Sequence, residues 1–169
     1  REANERGYLV ARDSNPAMTK SLWGGDDRYL HEYWSTFEDP PMWNHGDWAQ
    51  KDAEGFWFLH GRADDALNVA GRKVGPAEVE GAAMEHDDVN QAAAVGVPDE
   101  TTGTAVAAYV VTEPDVAADD DLREALRAVV GEELGKPFRP REVLFVDDLP
   151  KTQSGKVIRR VIAAVHAGE

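Results

Sequence analysis

The pattern of hydrophobic positions divides the chain near residue 62 into a strand-rich first part and an α+β second part. In the first part, Gly7-Tyr8-Leu9-Val10-Ala11-Arg12 reads as a strand, ended by the turn Asp13-Ser14-Asn15-Pro16. Tyr29, Leu30, Tyr33, Trp34 and Phe37 then recur at helical spacing behind Asp26-Asp27, which stand where N-caps stand. Pro40-Pro41 are expected to close this helix, and its aromatic face is expected to be core. Residues 42–62 hold two β-rich runs around the hairpin turn Asp52-Ala53-Glu54-Gly55, with apolar weight from Trp48, Phe56, Trp57, Phe58 and Leu59. At the other end of that hairpin, Asn44-His45-Gly46-Asp47 reads as a turn with a glycine and a carboxylate at a strand edge.

In the second part, Gly75-Pro76 followed by Glu78 predicts a helix start, because proline suits the first helical position and a carboxylate suits the positive end of the dipole. Val79, Ala82 and Ala83 give that helix a narrow apolar stripe. Residues 89–97 and 104–112 are near-continuous runs of Ala and Val, the pattern of strands covered by helices. Leu122, Leu126, Val129, Val130 and Leu134 predict an amphipathic helix capped by the aspartate run and ended by Gly135 and Pro137. A short strand at 142–146, an exposed loop at 150–156 and a last helix follow. That helix is expected to bury Val157, Ile158, Val161, Ile162 and Val165 and to leave Arg159 and Arg160 near solvent.

Charge and composition narrow the chemistry. Acidic residues outnumber basic ones by 32 to 18, a formal charge of −14, and only six of the cations are lysine. The summed field repels polyanions, so nucleic-acid binding is not expected and any phosphate site must be local. The chain has no cysteine, which removes disulfides, thiolate metal sites and a cysteine nucleophile. That fits a cytoplasmic protein, and no run is apolar enough for a membrane span. The five histidines lack zinc-site spacing and no carboxylate pattern resembles a calcium loop, so no structural metal is expected. A Gly-x-Ser-x-Gly nucleophile elbow is also absent.

Two stretches invite a chemical reading. Gly155-Lys156 lies in a small, polar loop, from which a lysine can carry a compact positive charge to a phosphate or carboxylate; a solvated helix start is the plainer account. Gly61-Arg62-Ala63-Asp64-Asp65, followed by Gly71-Arg72-Lys73-Val74-Gly75, puts charge and glycine at the junction of the two parts. That junction reads either as a hinge or as an ordinary charged hairpin before a helix. Thr101-Thr102-Gly103-Thr104 lacks the spacing and lysine of a phosphate loop and reads as a turn.

Together, these motifs resemble the C-terminal part of the acyl-adenylate-forming (AMP-binding) superfamily, and within it the AMP-forming acetyl-CoA and acyl-CoA synthetases. The resemblance rests on Asn44-His45-Gly46-Asp47 in the place of T-G-D, on Gly61 to Asp65, on Gly71 to Glu80, and on Pro150-Lys151-Thr152-Gln153-Ser154-Gly155-Lys156 matching P-K-T-x-S-G-K. It implies an α+β fold: residues 1–61 from the strand-rich end of a large N-terminal domain, a hinge at 62–66, and a small mobile C-terminal domain at 67–169. It further implies that Asp47 and Arg62 bind the ribose of ATP or AMP and that Asp64 is the hinge pivot. Lys156 would be the catalytic lysine of adenylation, and the Gly71-Arg72 loop would face CoA, with Lys73 near the adenylate phosphate.

Two positions depart from the pattern. Lys73 stands where the family commonly has arginine, which keeps charge but loses the bidentate fork, and His45 replaces the usual threonine. The implied phosphate loop, adenine pocket, magnesium-binding glutamate and acyl pocket have no match in residues 1–42, so the chain is expected to be inactive without an N-terminal domain. The implied partners are ATP, CoA, a small carboxylate and that domain, with Mg2+ held outside this chain. A carrier-protein-loading adenylation enzyme would share the motifs, and a non-catalytic acidic interaction module would share the charge.

Self-repulsion of this strength is a device of salt-adapted proteins. The urea midpoint of the chain is therefore expected to hold or rise as KCl approaches molar concentration, and a steady fall would contradict a halophilic adaptation.

Overall fold

Alternating side chains in the first part build a three-stranded antiparallel sheet in the order β1-β2-β3: β1 (Gly7–Ala11), β2 (Trp43–Lys51) and β3 (Trp57–Arg62). The computed structural model describes residues 2–169. These residues divide into two compact units, the first ending at Asp64 and the second beginning at Asp65. The β2–β3 turn is closed by Asp52, whose Oδ1 accepts the Phe56 N–H at 2.7 Å, while Gly55 takes φ +97°.

Three expectations for this unit change. Asn44, His45, Gly46 and Asp47 lie inside β2 rather than in a turn, and a bulge follows at Asp47/Ala49. Helix α1 (Asp26–Trp34) begins after Gly25, so the two aspartates occupy its first turn, and it stops at Ser35, before the prolines. None of its residues is buried. The short helix lies against the central strand β2, and its aromatics make surface stacks, such as Tyr33 on Trp43 at 5.2 Å, instead of a core. Among the described residues of this unit, Ala49 is the one buried hydrophobic side chain, while Phe56, Trp57, Phe58 and Leu59 are 49–67 % exposed.

The second unit opens with a hairpin of β4 (Leu67–Val69) and β5 (Arg72–Val74), turned by Ala70 and Gly71, both at positive φ. Helix α2 (Pro76–Met84) follows, its start fixed by Glu78 accepting the Gly75 N–H at 2.8 Å. The central sheet runs β6-β7-β8, with β6 (Val89–Asp99) antiparallel to β7 (Gly103–Thr112) and β8 (Glu142–Phe145) parallel to it. Helix α3 (Asp120–Glu133), capped by Asp119 on the Leu122 N–H, makes the crossover that a parallel pair requires. Helix α4 (Arg159–Ala167) ends the chain.

Strand alternation splits this core in two. Ala92, Ala94, Val106, Ala108 and Val110 face α2, α3 and the β4–β5 hairpin. Ala93, Val95, Val97, Ala105 and Ala107 face Ile162 of α4 and Leu149. The last helix does not bury the stripe expected of it: Ile162 is its one buried residue, and Val165 is 64 % exposed.

Arg159 departs furthest from expectation. Its Nε and a terminal nitrogen each donate to Glu80 at 2.7 Å, and Glu80 Oε1 also accepts the Ala94 N–H at 2.9 Å. Glu80 is only 9 % exposed. The carboxylate thus satisfies a main-chain donor of the edge strand β6 while holding the first residue of α4, and its hydrogen bonds raise the Arg159 pKa against the opposing effect of burial. Truncation by Glu80→Ala would leave the Ala94 N–H unpaired and Arg159 with only the longer Asp65 contact of 3.7 Å. The second unit is expected to lose about 3–5 kcal/mol, read as a lower urea midpoint by far-UV circular dichroism. A loss below 1 kcal/mol would contradict this account.

Candidate functional site

In the first unit the sheet register sets Asp47 opposite Arg62, and the bulge after Asp47 turns the local strand. His45 and Asp47, two residues apart on one strand face, meet with Nδ1 2.7 Å from Oδ2. Arg62 stands 3.8 Å from the other Asp47 oxygen, donates to the His45 carbonyl at 3.2 Å, and forks onto Asp64 at 2.9 and 3.1 Å. The Ala63 N–H donates to the Gly46 carbonyl at 2.9 Å, which carries the pairing one step past β3. The structure therefore gathers Asp47, Arg62 and Asp64 into one charged cluster, to which it adds His45.

Gly46 makes this closeness possible. Its φ is +86°, and a Cβ there would lie 2.7 Å from an Arg62 terminal nitrogen, so the guanidinium rests on bare backbone. Beside it opens a cavity of about 530 Å³ lined by Tyr8, Tyr33, Trp43, His45, Arg62 and Asp64, among others. Asp47 is not on its wall; its side chain, 18 % exposed, sits behind His45. Chemically, the cluster offers carboxylate acceptors for hydroxyls and one guanidinium, next to aromatic faces.

The remaining site residues belong to the second unit, on opposite sides of its sheet. Gly71, Arg72 and Lys73 form the β4–β5 hairpin, whose Val69 and Val74 join the core face covered by α2 and α3. Gly71 has φ +77° with open space around it, so the turn geometry, not crowding within the chain, calls for glycine.

Lys156 lies in the loop leading to α4, which covers the other face. The loop is braced by its own backbone. Thr152 N–H donates to the Lys156 carbonyl at 2.8 Å, Gly155 N–H to the Thr152 carbonyl at 2.9 Å, and Ile158 N–H to the Pro150 carbonyl at 2.8 Å. The Thr152 hydroxyl accepts the Lys156 N–H at 3.1 Å. Neighbouring Lys151 is paired with Asp148 at 2.6 Å, whereas the exposed Lys156 ammonium has no hydrogen-bond or ion-pair partner among the described residues.

Sequence reasoning passed over Glu80, although a signal existed. Pro76, Val79 and Ala83 mark the buried face of α2, and Glu80 falls on that face at apolar spacing. A carboxylate in such a place requires a buried partner.

Comparisons with known proteins establish the family. Residues 78–156 match the AMP-binding enzyme C-terminal domain. The chain is 42% identical to an acetyl-coenzyme A synthetase of Pyrobaculum aerophilum, over 96% of this chain and 24% of that protein. It is 43% identical to one of Streptomyces coelicolor, over 97% of this chain and 26% of the other. Among solved structures, the amide bond synthetase McbA of Marinactinospora thermotolerans superposes with a TM-score of 0.83 at 30% identity, covering 98% of this chain and 31% of its own. The anthranilate CoA ligase AuaEII, solved with anthranoyl-AMP, gives 0.81 at 27% identity, covering 99% and 32%.

The chain belongs to the acyl-adenylate-forming, AMP-binding superfamily. Within it, the sequence corresponds to the C-terminal portion of the AMP-forming acetyl-CoA and acyl-CoA synthetases, and it spans about a quarter of the length of the curated relatives it matches.

All five tryptophans precede residue 58, so their fluorescence reports on the first unit alone. Gly46→Ala is expected to cost that unit about 1–2 kcal/mol from the left-handed backbone, and more where Arg62 is displaced. An unchanged fluorescence-detected urea midpoint would contradict the contact.

Proposed function

We propose that this chain supplies the adenylation lysine and the CoA-side loop of an ATP-dependent acyl-CoA synthetase acting on acetate or another short- to medium-chain carboxylate. In the first half-reaction a carboxylate oxygen attacks the α-phosphorus of ATP and pyrophosphate leaves. In the second, the CoA thiol loses its proton and attacks the acyl-AMP carbonyl, releasing AMP. The observation that carries this reading is Lys156: an exposed ammonium, unpaired among the described residues, at the end of the P-K-T-x-S-G-K loop, in a chain 42% identical to an acetyl-coenzyme A synthetase over nearly all its length.

Each candidate residue has a role suited to its chemistry. Asp47 and Arg62 receive the ribose hydroxyls, the carboxylate as acceptor and the guanidinium as donor. Lys156 bridges the substrate carboxylate and the α-phosphate as charge builds during in-line displacement. Asp64 is the pivot about which the second unit turns between half-reactions, and the Gly71-Arg72 turn then meets the pantetheine arm, with Lys73 toward the phosphate of the adenylate. Mg2+ would be held by the rest of the enzyme and would neutralise the ATP phosphates.

The apolar run 56–59, exposed on both faces of β3, supports a covering body contributed by the same polypeptide. The relatives, about four times longer, are consistent with one.

Lys156→Ala in the full-length enzyme is expected to abolish pyrophosphate release, while thioester formation from preformed acyl-AMP and CoA continues. Equal loss of both half-reactions would overturn the assignment of Lys156.

A further inference from the structure

We propose that Glu80 is a positioning residue for Lys156, acting through Arg159. The inference rests on reading Lys156 as the adenylation lysine. Lys156 is three residues from Arg159, and the intervening chain has little freedom: Lys151 bridges to Val157, and Ile158 N–H donates to the Pro150 carbonyl at 2.8 Å. Whatever fixes Arg159 therefore fixes the base of the lysine loop.

Packing alone does not fix it. Ile162 is the one buried residue of α4, Ala163 packs partly buried beside it, and Tyr109 meets His166 Nδ1 at 2.7 Å. These contacts hold the middle and far end of the helix and leave the direction of its first turn to polar partners. The Glu80 fork supplies what is missing. Two charge-assisted bonds of 2.7 Å to one carboxylate set direction as well as distance. That carboxylate is itself anchored by the Ala94 N–H of β6 at 2.9 Å, so the loop is registered against the central sheet.

Arg159 has one further partner. A terminal nitrogen lies 3.7 Å from Asp65, the first residue of the second unit and the neighbour of the proposed pivot. One guanidinium thereby joins the base of the lysine loop to the segment where the second unit begins.

The test uses the full-length synthetase. Glu80→Gln keeps the shape and an acceptor for Ala94 but removes the charge, and Arg159→Lys keeps the charge but removes the fork. Each is expected to lower kcat for pyrophosphate release roughly 10- to 100-fold, the scale of a misplacement near 1 Å. KM for ATP and carboxylate is expected to change little, and the thioester half-reaction from preformed acyl-AMP to keep its rate.

A merely structural role would lower both half-reactions together, and that outcome in Arg159→Lys overturns the proposal. So does full adenylation in both variants while Lys156→Ala is inactive. If Lys156→Ala itself adenylates normally, the reading of Lys156 fails and the positioning role falls with it. A folding failure confined to Glu80→Gln leaves Arg159→Lys to decide.

Discussion

A carboxylate with 9 % of its surface exposed must find several donors or lose its charge, and Glu80 finds three, from two partners. One is a main-chain N–H on an edge strand and the others belong to a guanidinium at the start of the last helix. The second unit depends on this arrangement because its final helix buries only Ile162 and leaves Val161 and Val165 exposed. Removing the guanidinium strands the Glu80 carboxylate in the interior, which is far costlier than the pair's net contribution to stability.

The rest of that unit is organised by strand alternation. With alanine at 92–94 and at 105, 107 and 108, the sheet has small side chains on both faces, so helices approach closely on each. One face carries α2, α3 and the glycine hairpin, and the other carries α4 and the chain that leads to it from the lysine loop. Edge β8 is protected in its own way, Arg123 donating to the Val143 carbonyl at 3.0 Å from helix α3.

Much of this is legible in the residues. The Ala/Val runs, the Gly75-Pro76 start, the aspartate cap and the Asp52 turn are local signals, and local physics decides them. Misreadings arose where a distant partner decides. Nothing near Arg159 announces Glu80, 79 positions away, so the arginine read as solvated. The aromatics of α1 read as core because periodicity reports one apolar face without reporting what covers it.

At the candidate site the same limit applies. Asp47, Arg62 and Asp64 were found through motifs, and their convergence follows from the register of β2 with β3, but the contact of His45 with Asp47 required knowing that both lie on one strand face. A turn, as read from Asn44-His45-Gly46-Asp47, would have pointed those side chains apart.

The two-faced sheet has a mechanical consequence. Because the hairpin and the chain leading from the lysine loop are fastened to opposite sides of one thin, close-packed layer, they share a single stiff backing, and a deformation that moves one moves the other. Neither can be retuned by bending the scaffold. Adjustment is left to side chains at the two surfaces, and the layer between behaves as the blank of a coin whose sides are struck separately.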